Sequence, residues 1–424
     1  MLDLKLLRQN PEFIKESLQK RGRDPQIVSE ILSLDQEWRV LTAEQGKWQA
    51  ELNRRSEEIA ELKRQGADFT LQQSELRELS DRIKSLASQL KEKKEQIKIL
   101  LEKVPNLLHE TVPWGKEEKD NRLVKRGGTI REFDFNPLPH WEIGTRLKLI
   151  DFERGAKIAG SGFILYTGWG AKLERALINW MIDFHREKHG YRELWPPYVI
   201  NREAAYGTGK LPDFDDQMYR FENAEFYLNP TAEVPVTALH AEETFDEEDL
   251  PIYYVAYTAC FRREAGAAGK DTRGLLRVHQ FDKVELVKLT RPEKSYEELE
   301  KMLLDAEDIL KALGLPYEIV ELCSSEVGFT AAKAYDINVY SPGTGKWLEV
   351  SSCSNCTDYQ SRRLNIRYKS KEKGKPEFVH TLNGSGIALA RTLASILENY
   401  QEKDGSVIVP EVLLPYVGVG KIKA

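Results

Sequence analysis

A heptad pattern that occurs twice, with a break between, constrains this chain most. Steps of three and four residues alternate through Leu34, Trp38, Leu41, Gln45, Trp48, Leu52, Arg55, Ile59 and Leu62. Gln65-Gly66-Ala67-Asp68 interrupts the pattern. It resumes through Phe69, Gln72, Leu76, Leu79, Ile83, Leu86, Leu90, Lys93, Ile97, Leu100 and Val104. Such a period demands a helix that buries one stripe against a partner helix. So short a break makes the two helices antiparallel neighbours. About thirty residues per helix gives an arm of roughly 45 Å, which Pro105 ends. Residues 1 to 30 read as two short helices, with Asn10-Pro11-Glu12 as a start signal and Gly22 and Pro25 as breaks.

Residues 38 to 104 carry 14 Lys+Arg and 12 Asp+Glu, a net +2 inside a chain of net charge −6. Charges on heptad faces ordinarily only solvate them. Arg54, Arg55, Lys63, Arg64 and Arg77 nevertheless gather towards the tip half, where they suit contact with a phosphate backbone. The 424 residues allow two or three domains. Hydrophobic content of 41% with 31% charged residues excludes a wholly disordered chain. No apolar run nears the ~18 residues of a membrane span, and Lys5 and Arg8 break the only apolar start. A cytoplasmic protein is expected. Cys353 and Cys356 form CxxC, but no second pair stands at zinc-site spacing, so reduced thiols and no zinc are expected.

Tyr253 to Leu289 reads as two strands joined by a loop from Glu264 to Gly274. On the second strand Val278, Val284 and Leu286 share one parity. His279, Phe281, Lys283, Glu285 and Val287 share the other. With Arg262 on the first strand, this hairpin has an aromatic ring to stack on a base, a guanidinium to fork onto phosphate or carboxylate, and a carboxylate for an amine or hydroxyl. An ordinary sheet edge would look similar from the hairpin alone.

Elsewhere, 111–135 reads as a linker. Apolar spacing at 173, 176, 177, 180, 181 and 184 marks a helix stopped by Gly190. A strand broken by Pro196-Pro197, a helix near 294–313, and a final strand, glycine turn and helix follow. Strands lead mainly into hairpins, which indicates an antiparallel sheet with helices packed on it. The GSG at 384–386 lacks the third glycine of a dinucleotide fingerprint, and no Walker loop is present. ATP, if used, is held by another device.

These segments together resemble a class II aminoacyl-tRNA synthetase of the bacterial seryl type. The helix and strand over about 173–200 look like motif 1, 253–289 like motif 2, and 380–400 with GSGIALARTL like motif 3. GTGKLP, NPTAEVP, EVSSCSNCTDYQSRR and the N-terminal helical hairpin are more specific to the seryl type. The resemblance implies an α+β chain. An N-terminal tRNA-binding domain (1–110) carries an antiparallel coiled-coil arm (about 34–104), and an antiparallel-sheet catalytic domain with flanking helices spans 136–424.

It also implies that serine and ATP give seryl-adenylate, followed by transfer to the 3′ end of tRNA(Ser) and of tRNA(Sec), in a homodimer joined through motif 1. Arg262 would bridge serine carboxylate and α-phosphate, Phe281 would stack on adenine, and Arg391 would hold the γ-phosphate. Arg263, Glu264 and the main chain at Val278 would complete the nucleotide site. Thr231, Ala232, Glu233, Glu285, Asn383 and Ser385 would bind serine. The stretch Glu349, Val350, Ser351 and Ser352 would meet ATP, with Glu349 and Ser352 on Mg²⁺. Two rivals remain at this level: a synthetase-like paralogue that charges a non-tRNA carrier, and an RNA-binding coiled-coil scaffold.

Overall fold

The computed structural model describes residues 1–265 and 273–424, so most of the expected motif 2 loop lies outside them. The chain divides into two compact units, Leu2–Pro105 and Asn106–Ala424, the latter together with Met1.

The first unit is wholly helical. Helices α1 (Leu4–Gln9) and α2 (Pro11–Lys20) precede α3 (Gln26–Arg64) and α4 (Thr70–Glu102). Pro11 occupies the first position of α2, where its missing N–H costs nothing. The long helix starts at Gln26, eight residues before the heptads, because Val28 and Ile31 bury one face together with Leu7, Ile14 and Leu18. Ion pairs Glu37–Lys93, Glu44–Arg82 and Arg55–Glu75 bind the two arms, and their numbers run oppositely, as antiparallel helices require. The Arg82 guanidinium also lies 4.1 Å from the centre of the Trp48 ring. Leu79, Leu86, Ile97 and Leu101 of α4 are buried. At the turn Gly66 takes φ +72°, and the Asp68 side chain accepts the Thr70 amide at 3.0 Å.

The second unit is built on one eight-stranded sheet. In chain order its strands are β1 (Arg122–Gly127), β2 (Arg192–Leu194), β3 (Ile252–Phe261), β4 (Gln280–Thr290), β5 (Tyr317–Glu321), β6 (Lys333–Ser341), β7 (Lys346–Asn355) and β8 (His380–Ala388). Their spatial order is β1-β5-β6-β7-β8-β4-β3-β2. All neighbours are antiparallel except β2 beside β3 at one edge. Helices α5 (His140–Arg146), α6 (Trp169–His189), α7 (Glu233–Ala238), α8 (Ser295–Leu313) and α9 (Leu389–Asn399) accompany it. Leu177 and Met181 of α6, Met302 and Leu310 of α8, and Leu393 and Leu397 of α9 share a core with Val284 and Leu286.

Three expectations need correcting. The stretch taken as a linker contains β1, which pairs with β5 and closes that edge of the sheet. The motif 2 strand starts at Gln280, beyond Val278, because the His279 amide bonds to Gly162 instead of the hairpin partner. The GSG segment is no turn: β8 runs straight through it, with a bulge between Ser385 and Ile387. Its glycines serve close packing. A Cβ on Gly384 would stand 2.9 Å from Cys353 Sγ and Met302 Sδ, and one on Gly386 3.0 Å from His185 Nε2.

Candidate active site

A cavity of about 260 Å³ lies over β3, β4, β7 and β8. At one end Arg262, just past β3, sets its guanidinium 5.2 Å from the centre of the Phe281 ring. Its Nε donates to the Pro230 carbonyl at 3.3 Å, which holds the fork in place. Glu264 and Val278 line the same end, with Arg277 Nη1 3.4 Å from Glu264 Oε2. Arg391 enters from the first turn of α9. Its Nη1 donates to the Glu349 carbonyl at 2.8 Å and lies 3.4 Å from Glu349 Oε2, while Nε donates to Leu276 O at 3.3 Å.

The other end is buried and polar. Thr231, Glu233, Glu285, Asn383 and Ser385 all reach it. Lys283 Nζ donates to Thr231 Oγ1 at 2.7 Å and contacts the Glu285 carboxylate. The Lys283 ammonium sits on Glu285 Oε2, so this buried carboxylate is ion-paired through that oxygen. Burial pushes the Glu285 carboxyl above its ordinary value, and Lys283 offsets this only in part. Burial would do the same to Glu233, but Lys210 at 2.8 Å, with Lys283 and a Gln360 amide at 2.7 Å, outweighs it and holds that carboxyl below the usual range. Two neighbouring carboxylates are thereby pushed apart in acidity.

The side wall depends on a bulge. Glu349 and Ser352 are three apart on β7 and would face opposite ways on a regular strand. The register with β6 steps from Ile337↔Ser351 to Asn338↔Glu349, leaving Val350 as an extra residue. Parity therefore flips, and Glu349, Val350 and Ser352 all line the cavity. Asp336, opposite Ser352, is pushed well above the usual carboxylate range by burial and then by Glu349, and its Oδ1 has no hydrogen-bond partner among the described residues. Among the described residues, no three His, Cys, Asp or Glu side chains are arranged to hold a metal alone. The hard oxygens of Glu349 and Ser352, beside an unsatisfied Asp336, do fit a divalent cation that takes its remaining ligands from phosphate and water. The CxxC thiols are buried, and burial pushes Cys353 and Cys356 up to about 12.

Three expected contacts do not reach the cavity. Ala232 is fully buried in a separate core with Val236 and Leu250. Ser351 donates to the Ser385 carbonyl at 2.6 Å and so braces the wall from within. Arg263 is held by its amide on the Gln217 carbonyl at 2.8 Å, and its side chain is not part of the lining. Conversely, Lys210, Lys283, Gln360 and Asp336 carry the electrostatics without having been assigned a role. Lys210 stands within GTGKLP and Lys283 shares the parity of Phe281 and Glu285, so both had a signal. Gln360 stands within EVSSCSNCTDYQSRR and so had the same kind of signal as Lys210; Asp336 had none.

On the arm, the basic tip is partly neutralised. Arg54 pairs with Glu51 and Glu58, Arg55 with Glu51 and Glu75, and Arg64 with Glu61. Lys63 and Arg77 make no ion pair among the described residues.

Comparison with known proteins covers the whole length of the chain. Residues 218–400 match the family described as tRNA synthetase class II core domain (G, H, P, S and T), and residues 1–108 match the seryl-tRNA synthetase N-terminal domain. The serine--tRNA ligase of Caldanaerobacter subterraneus subsp. tengcongensis is 54% identical over 423 residues, covering 100% of this chain and 99% of its own. That of Caldicellulosiruptor bescii is 56% identical over 423 residues, covering 100% of both. Among solved structures, the seryl-tRNA synthetase from Pyrococcus horikoshii complexed with ATP superposes with TM-score 0.95 at 40% identity, over 100% of this chain and 99% of that one. The cytoplasmic serine-tRNA ligase of Naegleria fowleri in complex with AMP gives TM-score 0.89 at 34% identity, again over 100% and 99%. This chain belongs to the seryl-tRNA synthetase family of class II aminoacyl-tRNA synthetases.

Proposed function

We propose that the chain is a serine--tRNA ligase whose cavity binds ATP at the Arg262–Phe281 end and L-serine at the Thr231–Glu233–Glu285 end. The observation that carries this reading is the joint presence, in one cavity, of a guanidinium beside an aromatic ring and a buried carboxylate. A serine carboxylate oxygen attacks the α-phosphorus of ATP, forming the C–O–P anhydride as the bond to pyrophosphate breaks. The 3′-terminal ribose hydroxyl of tRNA then attacks the seryl carbonyl, and AMP leaves. No protein nucleophile is needed; catalysis is positioning and charge stabilisation.

Arg262, held through Nε, keeps its terminal nitrogens for the serine carboxylate and the α-phosphate. Phe281 stacks on adenine, with Glu264 and the Val278 main chain at its edge. Arg391 takes the terminal phosphate. Glu349 and Ser352 would hold Mg²⁺, which when bound neutralises phosphate charge. Ionised Glu233 suits the serine ammonium, and the buried Glu285 carboxylate suits the serine hydroxyl. Asn383 and Ser385 close that pocket.

Two copies pair through the motif 1 face, where Trp169, Trp195 and Val199 are exposed. The arm reads the backbone of tRNA(Ser), and by family resemblance tRNA(Sec), by shape and charge. Among the described residues no helix is long and apolar enough to cross a membrane, in keeping with a cytoplasmic enzyme. Serine-dependent pyrophosphate exchange without tRNA, followed by charging of tRNA, tests the reading. Absence of exchange rejects it. Exchange without charging points to a paralogue for another carrier.

A further inference from the structure

A fully buried pair outside the cavity lining ties the two elements walling the ATP end. Glu398 lies seven residues, or two turns, along α9 from Arg391, and both it and His140 are 0% exposed. Glu398 Oε1 accepts the His140 amide at 2.9 Å and His140 Nδ1 at 2.7 Å. Oε2 accepts the Ser341 hydroxyl and the Gly343 amide, the latter at 2.9 Å. A carboxylate can only accept, so Nδ1 carries the ring proton and Nε2 presents a lone pair. That lone pair accepts the Leu275 amide at 3.0 Å.

The residues just before Leu275 rest on the same place. Gly274 has φ +76°, and a Cβ there would stand 2.2 Å from His140 Nε2. The Arg273 guanidinium lies 5.0 Å from the centre of the Trp141 ring. The residues just after Leu275 form the cavity wall. Leu276 O receives Arg391 Nε, and Arg277 and Val278 line the cavity. Residues 273–275 are thus seated on 140–141, and α9 carries both the seat's carboxylate and the arginine that the next carbonyl engages.

We propose that His140 and Glu398 are a positioning pair that sets the return arm of the motif 2 hairpin, so that ATP meets a preformed wall. This rests on the ATP assignment above. A buried histidine that only fills space would contribute to stability and leave ATP binding alone.

Two near-isosteric variants separate these roles. In His140→Asn the amide can donate to Glu398 from the Nδ1 position but stops short of Leu275. In His140→Gln a carbonyl reaches the Nε2 position and can accept the Leu275 amide. The pair predicts that Asn raises the ATP KM in pyrophosphate exchange on the order of tenfold, that the serine KM stays within about twofold, and that Gln recovers most of the loss. Amide hydrogen exchange over 273–279 should be faster in the Asn variant than in the Gln variant. That readout does not depend on which substrate the enzyme uses, whereas serine-dependent exchange by the unaltered chain tests the ligase reading separately. Equal behaviour of the two variants, an unchanged ATP KM in His140→Asn, or unchanged hydrogen exchange at 273–279 would overturn the proposal.

Discussion

Lys283 Nζ lies 2.7 Å from the Thr231 hydroxyl, on a side chain 7% exposed that also contacts Glu285. One cation therefore serves two groups of the serine end. Lys283→Met should raise the serine KM on the order of tenfold, the worth of a charged hydrogen bond. Burial already raises the Glu285 carboxyl, and removing its nearest cation raises it further. Because the ionised form is the one proposed to accept the serine hydroxyl, the acid limb of the pH–rate profile should move to higher pH. An unmoved limb with unchanged serine KM would leave Lys283 as a packing residue.

Arg262→Ala should lower pyrophosphate exchange by about 10²–10³, the usual cost of one lost charge stabiliser. The fold should survive, because among the described residues the side chain's hydrogen bond is to the Pro230 carbonyl alone. Arg262→Lys should recover little, since an ammonium cannot fork onto two anions. Near-normal exchange in a folded Ala variant would falsify the assignment.

Serine should be preferred to alanine by roughly 10⁴ or more, because alanine leaves a buried acceptor unpaired. The acceptor in question is the Glu285 carboxylate, buried at the cavity. Exchange rates with the two amino acids at subsaturating concentration measure the ratio. A ratio under about ten would remove Glu285 from the specificity site.

Replacing residues 36 to 104 with a short Gly/Ser link should leave exchange largely intact and abolish most tRNA charging, because every residue assigned to ATP and serine lies beyond position 230. Within the arm, each lost phosphate contact should lower the salt slope of tRNA binding by about 1. Lys63→Gln and Arg77→Gln should show this most fully. Arg54, Arg55 and Arg64 already have carboxylate partners, so their neutralisation should change the slope less. Full charging by the armless chain would make the arm an ornament.

Glu174 on α6 is buried with neither carboxylate oxygen hydrogen-bonded among the described residues, and burial, then Asp282, pushes its carboxyl well above the usual range. A raised carboxyl keeps its proton in the folded state where the unfolded chain has released it. Stability should therefore fall as pH rises above the ordinary carboxylate value, by about 1.4 kcal/mol per pH unit within the window. Glu174→Gln should flatten that slope and be the more stable protein at pH 8. Urea unfolding at pH 5 and pH 8 decides it; parallel slopes would mean that Glu174 is ionised in the folded chain.

The arm, the motif 2 hairpin and the joint set Arg262, Phe281 and Glu285 are determined by the sequence alone. Each is a local regularity: heptads count along one helix, and alternation counts along one strand. Counting fails where a partner strand inserts a residue. Val350 and Gly386 are bulges visible only in the register with β6 and β4, and the first brings Glu349 and Ser352 to one face. Charge partners are likewise non-local. Lys210 meets Glu233 across 23 residues, Gln360 meets it across 127, and His140 meets Glu398 across 258. Which carboxylate is held ionised, which is pushed up by burial, and which histidine nitrogen faces Leu275 were decided by burial and by partners that only the packed sheet and helices bring together.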